Sequence, residues 1–324
     1  MKLATYLHNG AARIGVVDDA ASTVFDLRGA ADREGIESGT FASMLALIDA
    51  GEGGLEAART LLRGRGTEED LRVPLSSLVL LAPIPEPRQM RDFSVFPGHI
   101  AGAYAAMQRF AGELAGRPPA SNGDAVVPQI FRDQPIYYKC NRFSVVGHDH
   151  AVIRPRYSSY LDYELELAAI IGRRGKDIKA KAAGDFIFGY TIFNDFSARD
   201  AQLAESRAKM GPAKGKDFDT GNVLGPWIVT ADEIGDPYNL AMEARVNGTV
   251  LSRGSSAGML HSFEEMIAAV SRDETLHPGE VFGSGTIAGG SGLEQGRFLA
   301  HDDRVELEVE RIGFLRNRIV AQDT

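Results

Sequence analysis

The sequence holds a single cysteine, Cys140, among 324 residues. One thiol cannot close an intrachain disulfide, so no disulfide framework is expected and a reducing compartment is. A Lys/Arg tract is also missing: 35 basic residues against 44 acidic ones leave a formal net charge of −9. Affinity for a phosphate backbone rests on clustered cations, so no nucleic-acid partner is expected. No stretch approaches the roughly 18 consecutive apolar residues that span a bilayer. The start, Met1-Lys2-Leu3-Ala4-Thr5-Tyr6, lacks the apolar core of a signal peptide. The expectation is a cytoplasmic protein with no membrane partner. A hydrophobic share of 44% against 24% charged excludes a disordered chain and suits one large domain, or a large one with a small one.

Residues 2–7 and 13–18 read as short strands around a His8-Asn9-Gly10 turn, with Phe25-Asp26-Leu27 continuing that sheet. Helical spacing follows from Thr40 to Leu45 and from Leu55 to Leu62. Three prolines between Pro83 and Pro87 bar regular helix and mark a junction. Residues 1–80 are therefore expected to form a small N-terminal α/β module and 81–324 a larger domain. That domain is strand-rich: 161–172 and 304–310 alternate, 186–194 is an apolar run, and 241–252 contains an Asn247-Gly248 turn. Helices are expected near 98–112, 197–209 and 262–272. Without a βαβα rhythm, an α+β fold on antiparallel or mixed sheets fits best. Residues 113–127, with Pro118-Pro119 and Asn122-Gly123, read as a long loop of the kind that covers a site.

The chemistry is most legible in Leu161-Asp162-Tyr163-Glu164-Leu165-Glu166-Leu167-Ala168-Ala169-Ile170-Ile171. On a strand, residues i and i+2 share a face, which places Glu164 beside Glu166. A solvated sheet face would explain such a pair. The apolar continuation argues for burial instead, and buried carboxylates need a partner. Asp195, in Asn194-Asp195-Phe196-Ser197-Ala198-Arg199-Asp200, falls where an apolar strand ends. It is a third oxygen ligand, or it and Ser197 merely cap the next helix. Hard oxygen donors without sulfur suit Mg²⁺, Mn²⁺ or Ca²⁺.

The E-x-E strand together with Asn-Asp-x-Ser-Ala-Arg-Asp resembles the fumarylacetoacetate hydrolase family over roughly residues 85–320. The resemblance implies a mixed β-sandwich or roll, a divalent cation held by Asp92, Glu164, Glu166 and Asp195, and a homodimer. It implies a catalytic His99, seven residues after Asp92 in Arg91-Asp92-Phe93-Ser94-Val95-Phe96-Pro97-Gly98-His99. It implies that Glu294, in Gly290-Ser291-Gly292-Leu293-Glu294, orients that histidine, and that Lys216, four residues before Thr220, is catalytic. Arg199, Gln202 and Thr286 fall on substrate-binding positions. Two pocket tyrosines of the fumarylacetoacetases stand here as Ser94 and Ser206, and the loop from Thr286 to Glu294 is shorter.

The reaction so implied is hydrolysis of a C–C bond in a β-diketone or acylpyruvate, with histidine-activated water and an enolate leaving group. Arg199 would grip a substrate carboxylate in a bidentate fashion. A 2-oxo-acid decarboxylase, tautomerase or hydratase would use the same site, and a non-catalytic protein with a structural cation is the remaining reading. Other motif-like stretches carry less. His148-Asp149-His150 reads as a surface turn. Gly283-Ser284-Gly285-Thr286-Ile287-Ala288 lacks the helix a dinucleotide fingerprint needs. Ser206-Arg207-Ala208-Lys209 has no companion motifs, and Cys140 reads as a packing residue.

Overall fold

Alternation decides which face of each strand is buried, and the longer strands of this chain are buried on one face or both. The computed structural model describes residues 1–36, 38–117 and 126–321; of the expected loop 113–127, residues 118–125 lie outside that range. A twelve-stranded mixed sheet runs through the molecule. Its central order is Lys2–His8, Asn222–Thr230, Ile187–Asp195, Leu165–Ile171, Val281–Gly283, Met90–Phe93 and Tyr137–Lys139. A five-stranded sheet of Thr249–Ser255, Ala241–Val246, Arg304–Val309, Gly313–Ala321 and Ala151–Arg154 packs against it.

The alternating segment Arg304–Val309 turns Val305, Leu307 and Val309 inward, as period-two patterning requires. Leu165, Leu167, Ala169 and Ile171 face the apolar layer between the sheets, where they meet Met242, Ala244, Leu307 and Ile319. On the opposite face Ala168, Ile170 and Phe193 join Ile14, Phe25, Leu47 and Leu61 in a second core under the N-terminal helices. Two of the Asn-Gly pairs form turns among the described residues: Asn9 and Gly10, and Asn247 and Gly248, all have positive φ, the backbone such two-residue hairpins demand.

The division drawn near residue 80 crosses a continuous sheet, because Lys2–His8 pairs antiparallel with Asn222–Thr230. The first expected helix splits into a 3-10 turn, Ser38–Phe41, and a helix, Met44–Asp49, whose cap is Ser43. The helix expected from 197 begins at Arg199 and ends at Ser206. Ser197–Ala198 instead pairs as a short strand with Leu161–Asp162, since backbone pairing across these two segments satisfies the amides that a longer helix would have used. The helix Pro97–Leu114 places proline in its first turn, where the missing N–H costs nothing. Phe263–Val270 starts at a capping box between Ser262 and Glu265. No helix among the described residues is long and apolar enough to cross a membrane.

Candidate active site

Three strands bring carboxylates to one face of the large sheet. Asp92 follows Met90 by two, Glu166 precedes Ala168 by two, and Asp195 follows Phe193 by two; each of those apolar residues belongs to the second core. Period-two alternation therefore points all three acids the same way. One oxygen of each lies within 4.8 Å of the others, and all three residues are buried. Between the strands of Glu166 and Asp92 runs Val281–Gly283, and its last residue has no side chain. A Cβ on Gly283 would sit 2.5 Å from Asp92 Oδ1, 2.9 Å from Phe193 Cδ1 and 3.1 Å from Glu166 Oε2. The glycine leaves open the space the carboxylates face.

The donors suit a hard divalent cation. Glu166 Oε2 and Asp195 Oδ1 are buried without a hydrogen-bond partner, which is costly for a carboxylate unless a cation compensates it. Burial, and then neighbouring negative charge, pushes Asp92 up to about 8 and Glu166 well above its ordinary range. Asp195 is raised to about 6 by burial, against the pull of Lys216. Such a cluster holds protons or a metal ion, not three bare charges. Three other oxygens of the trio are anchored: Gly285 N–H donates to Asp92 Oδ1 at 3.1 Å, the Thr286 hydroxyl to Glu166 Oε1 at 3.1 Å, and the Tyr138 hydroxyl to Asp195 Oδ2.

Gly283→Ala is expected to weaken Mn²⁺ binding by about 10–100-fold, the range seen when support around metal ligands is disturbed. Calorimetric titration of the folded variant checks it; an unchanged affinity would mean that the carboxylates can swing clear of the added methyl.

Glu164, expected as a fourth ligand, presents its oxygens elsewhere: Arg199 Nη2 donates to Oε1 at 2.7 Å and Lys216 Nζ to Oε2 at 2.6 Å. Burial raises its carboxyl, but Arg199, Lys216 and His99 outweigh burial and hold it below the usual range. Lys216 also donates to Asp195, so its ammonium joins Glu164 to the trio. Burial works against that charge, and the two carboxylates more than offset it.

His99 lies in the first turn of Pro97–Leu114, with Nδ1 2.8 Å from Glu294 Oε2. A carboxylate only accepts, so Nδ1 carries the proton and Nε2 presents a lone pair. Nε2 lies 3.8 Å from Glu164 Oε1. Glu294 is itself fixed by Ser291 Oγ at 2.9 Å and Gly289 N at 3.0 Å. It can approach the helix because Gly102 has no Cβ, which would lie 2.6 Å from its Oε1. The short loop after Thr286 thus still carries Glu294 to the histidine.

Arg199 is committed more fully than its expected substrate role implies. It donates to Asp162 through Nε and Nη2, to Glu164 through Nη2, and to Gln202 Oε1 through Nη1. Four of five N–H groups are used, so a ligand finds one on Nη1 rather than a bidentate fork. Ser94 is half-buried beside Gly285. Ser206 is exposed, its hydroxyl turned to Leu203 O, and the Thr220 hydroxyl accepts from Ile153 N. His148-Asp149-His150 forms a turn paired to Arg316, and Cys140 is buried. Sequence reasoning missed Tyr138, Asp162 and the role of Gly283.

Residues 103–320 match the family model described as fumarylacetoacetate (FAA) hydrolase C-terminal. The chain belongs to this family. A human relative, the mitochondrial oxaloacetate tautomerase FAHD2A, is 39% identical over 188 residues, which cover 58% of this chain and 59% of that one; the match thus leaves a large part of the relative's length unaccounted for. Among solved structures, a fumarylacetoacetate hydrolase from psychrophilic Exiguobacterium antarcticum is 28% identical with a TM-score of 0.72, covering 99% of this chain and all of that one. The maleylpyruvate hydrolase of Sphingobium sp. SYK-6, solved with manganese(II) and pyruvate, shares the fold at a TM-score of 0.72, 22% identity and full coverage of both chains. The family resemblance and the strand-rich α+β fold expected from the sequence both hold.

Proposed function

We propose that the chain is a divalent-metal-dependent enzyme that moves a proton between the keto and enol forms of a small 2-oxo acid. The observation that carries the reading is the His99–Glu294 pair, whose free Nε2 faces a buried cluster of carboxylates and a lysine. Asp92, Glu166 and Asp195 would hold the cation, with Glu164 next to it through Lys216. Mg²⁺, Mn²⁺ or Ca²⁺ bound there supplies Lewis-acid polarisation of the substrate carbonyl, which acidifies the adjacent C–H.

His99 Nε2 takes the proton from that carbon, and the C–H electron pair becomes the enol double bond. Glu294 keeps the imidazole in the required tautomer and stabilises its charged form. The Lys216 ammonium stabilises the negative charge gathering on the oxygen, which then takes up the proton. The remaining Nη1–H of Arg199, together with Gln202, recognises a carboxylate of the substrate. Thr286 fixes Glu166, and Ser94 borders the same loop. The name of the human relative, oxaloacetate tautomerase, supports this reading over the matched part of the chain.

A second reading, hydrolysis of a C–C bond in a β-diketone or acylpyruvate, is favoured by the structural likeness to a fumarylacetoacetate hydrolase across 99% of the chain. In it His99 deprotonates water, hydroxide adds to the carbonyl, the C–C bond breaks, and the leaving enolate is stabilised by Lys216. Product mass separates the two. Decay of enol absorbance with oxaloacetate, abolished by chelator and with no change in mass, is expected. Cleavage products that have gained one water from an acylpyruvate would support the second reading. Activity indifferent to chelator would exclude both. We also infer a homodimer from the family, which a single-chain mass by light scattering would refute.

A further inference from the structure

We propose that Asp162 is a positioning residue that locks the Arg199–Glu164 half of the site to the His99–Glu294 half. The inference rests on His99 being the base, as proposed above. Asp162 is fully buried and touches neither the carboxylate trio nor the histidine. Its two oxygens instead accept five hydrogen bonds from three separate segments. Oδ2 accepts from Arg199 Nε at 2.8 Å, Arg199 Nη2 at 2.7 Å and Leu293 N at 2.9 Å. Oδ1 accepts from Gly292 N at 2.7 Å and from its own neighbour Tyr163 N at 2.8 Å.

The two ends of this brace lead to the chemistry. Arg199 continues to Glu164 Oε1. Gly292 and Leu293 open the one-turn helix Gly292–Gln295, whose next residue is Glu294, and Glu294 sets the ring of His99. The packing leaves no slack: a Cβ on Gly292 would meet Asp162 Oδ1 at 2.5 Å and Arg297 O at 2.2 Å. An amide cannot substitute for the carboxylate. All five partners are donors, so whichever oxygen becomes NH₂ faces N–H groups, and two or three buried donors lose their acceptor.

The test is Asp162→Asn, read by low-field proton NMR and by kinetics. The hydrogen-bonded Nδ1–H of His99 should give a low-field signal that His99→Ala lacks. In Asp162→Asn this signal should shift or vanish, and kcat should fall by about 10–100-fold, as for other residues that orient a site from behind. In a His99→Ala background the same substitution should no longer change kcat, while its effect on KM through Arg199 should persist. A residue that only supported the fold would lower Tm and leave the signal in place. A folded Asp162→Asn with unchanged signal and kcat overturns the proposal. If that variant aggregates, Asp162→Glu keeps the charge but cannot keep the geometry, and an unmoved signal there overturns it equally. If the unmodified protein turns over no 2-oxo acid or diketone, the functional reading fails, and the NMR comparison still decides the role of Asp162.

Discussion

Replacing His99 by alanine is expected to lower turnover by about 10²–10⁴-fold, the usual contribution of a positioned acid–base group, and to leave divalent-ion binding intact. The separation follows from geometry. Asp92, Glu166 and Asp195 belong to sheet strands, whereas His99 enters from the helix Pro97–Leu114 and is tied to Glu294. Removing the imidazole leaves Gly283, Gly285, Thr286 and Tyr138 in place around the carboxylates. Initial rates paired with Mn²⁺ titration check the prediction, and a loss of both together would show that the histidine holds the cluster in shape.

The metal-free protein is expected to lose stability as pH rises from about 4 to about 8, opposite to the behaviour of a protein stabilised by ionised carboxylates. Burial, with Asp195 adding to it at Asp92 and Glu164 at Asp195, raises Asp92 to about 8 and Asp195 to about 6 from an ordinary value of 3.8. The folded state thus retains protons that the unfolded chain has released. Where the native state binds more protons, stability falls with rising pH. Glu164 is shifted the other way, so its contribution is lost as pH falls below its ordinary 4.5, at the acid edge of this window. A divalent ion replaces the protons, so its stabilising effect should grow with pH. At 100 times Kd an ion adds about 2.7 kcal/mol. Thermal melts with chelator and with Mn²⁺ across this range measure both; a chelator melt that rises with pH would contradict the protonated cluster.

The acids were legible where the relation between them is local. Glu166 beside an apolar run, and Asp195 at the end of another, follow from strand periodicity alone. What escaped was set by the order of strands. Nothing near Gly283 in the sequence says that it will run between Glu166 and Asp92, and only that adjacency makes its missing side chain matter. Tyr138 reaches Asp195 for the same reason. Glu164 shares the spacing of Glu166, yet the approach of Arg199 and Lys216 from other segments draws its oxygens away. Asp162 did leave a trace. It precedes Glu164 by two residues, so 162, 164 and 166 form a same-face acidic series along a largely apolar stretch.

The alternation along Leu165–Ile171 has a further consequence for how the chain folds. Glu166 and its neighbours Leu165 and Leu167 differ only in the side from which they leave the strand. A slip of one residue against Ile187–Asp195 would send Glu166 into the greasy layer between the sheets and turn leucines onto the ion's seat. The energetic penalty of that misplacement falls on the same residues that would hold the proposed cation. The cluster thus proofreads the fold: a chain that has assembled the wrong pairing cannot also shelter its acids, and only the correctly paired one would offer the proposed cation its oxygens.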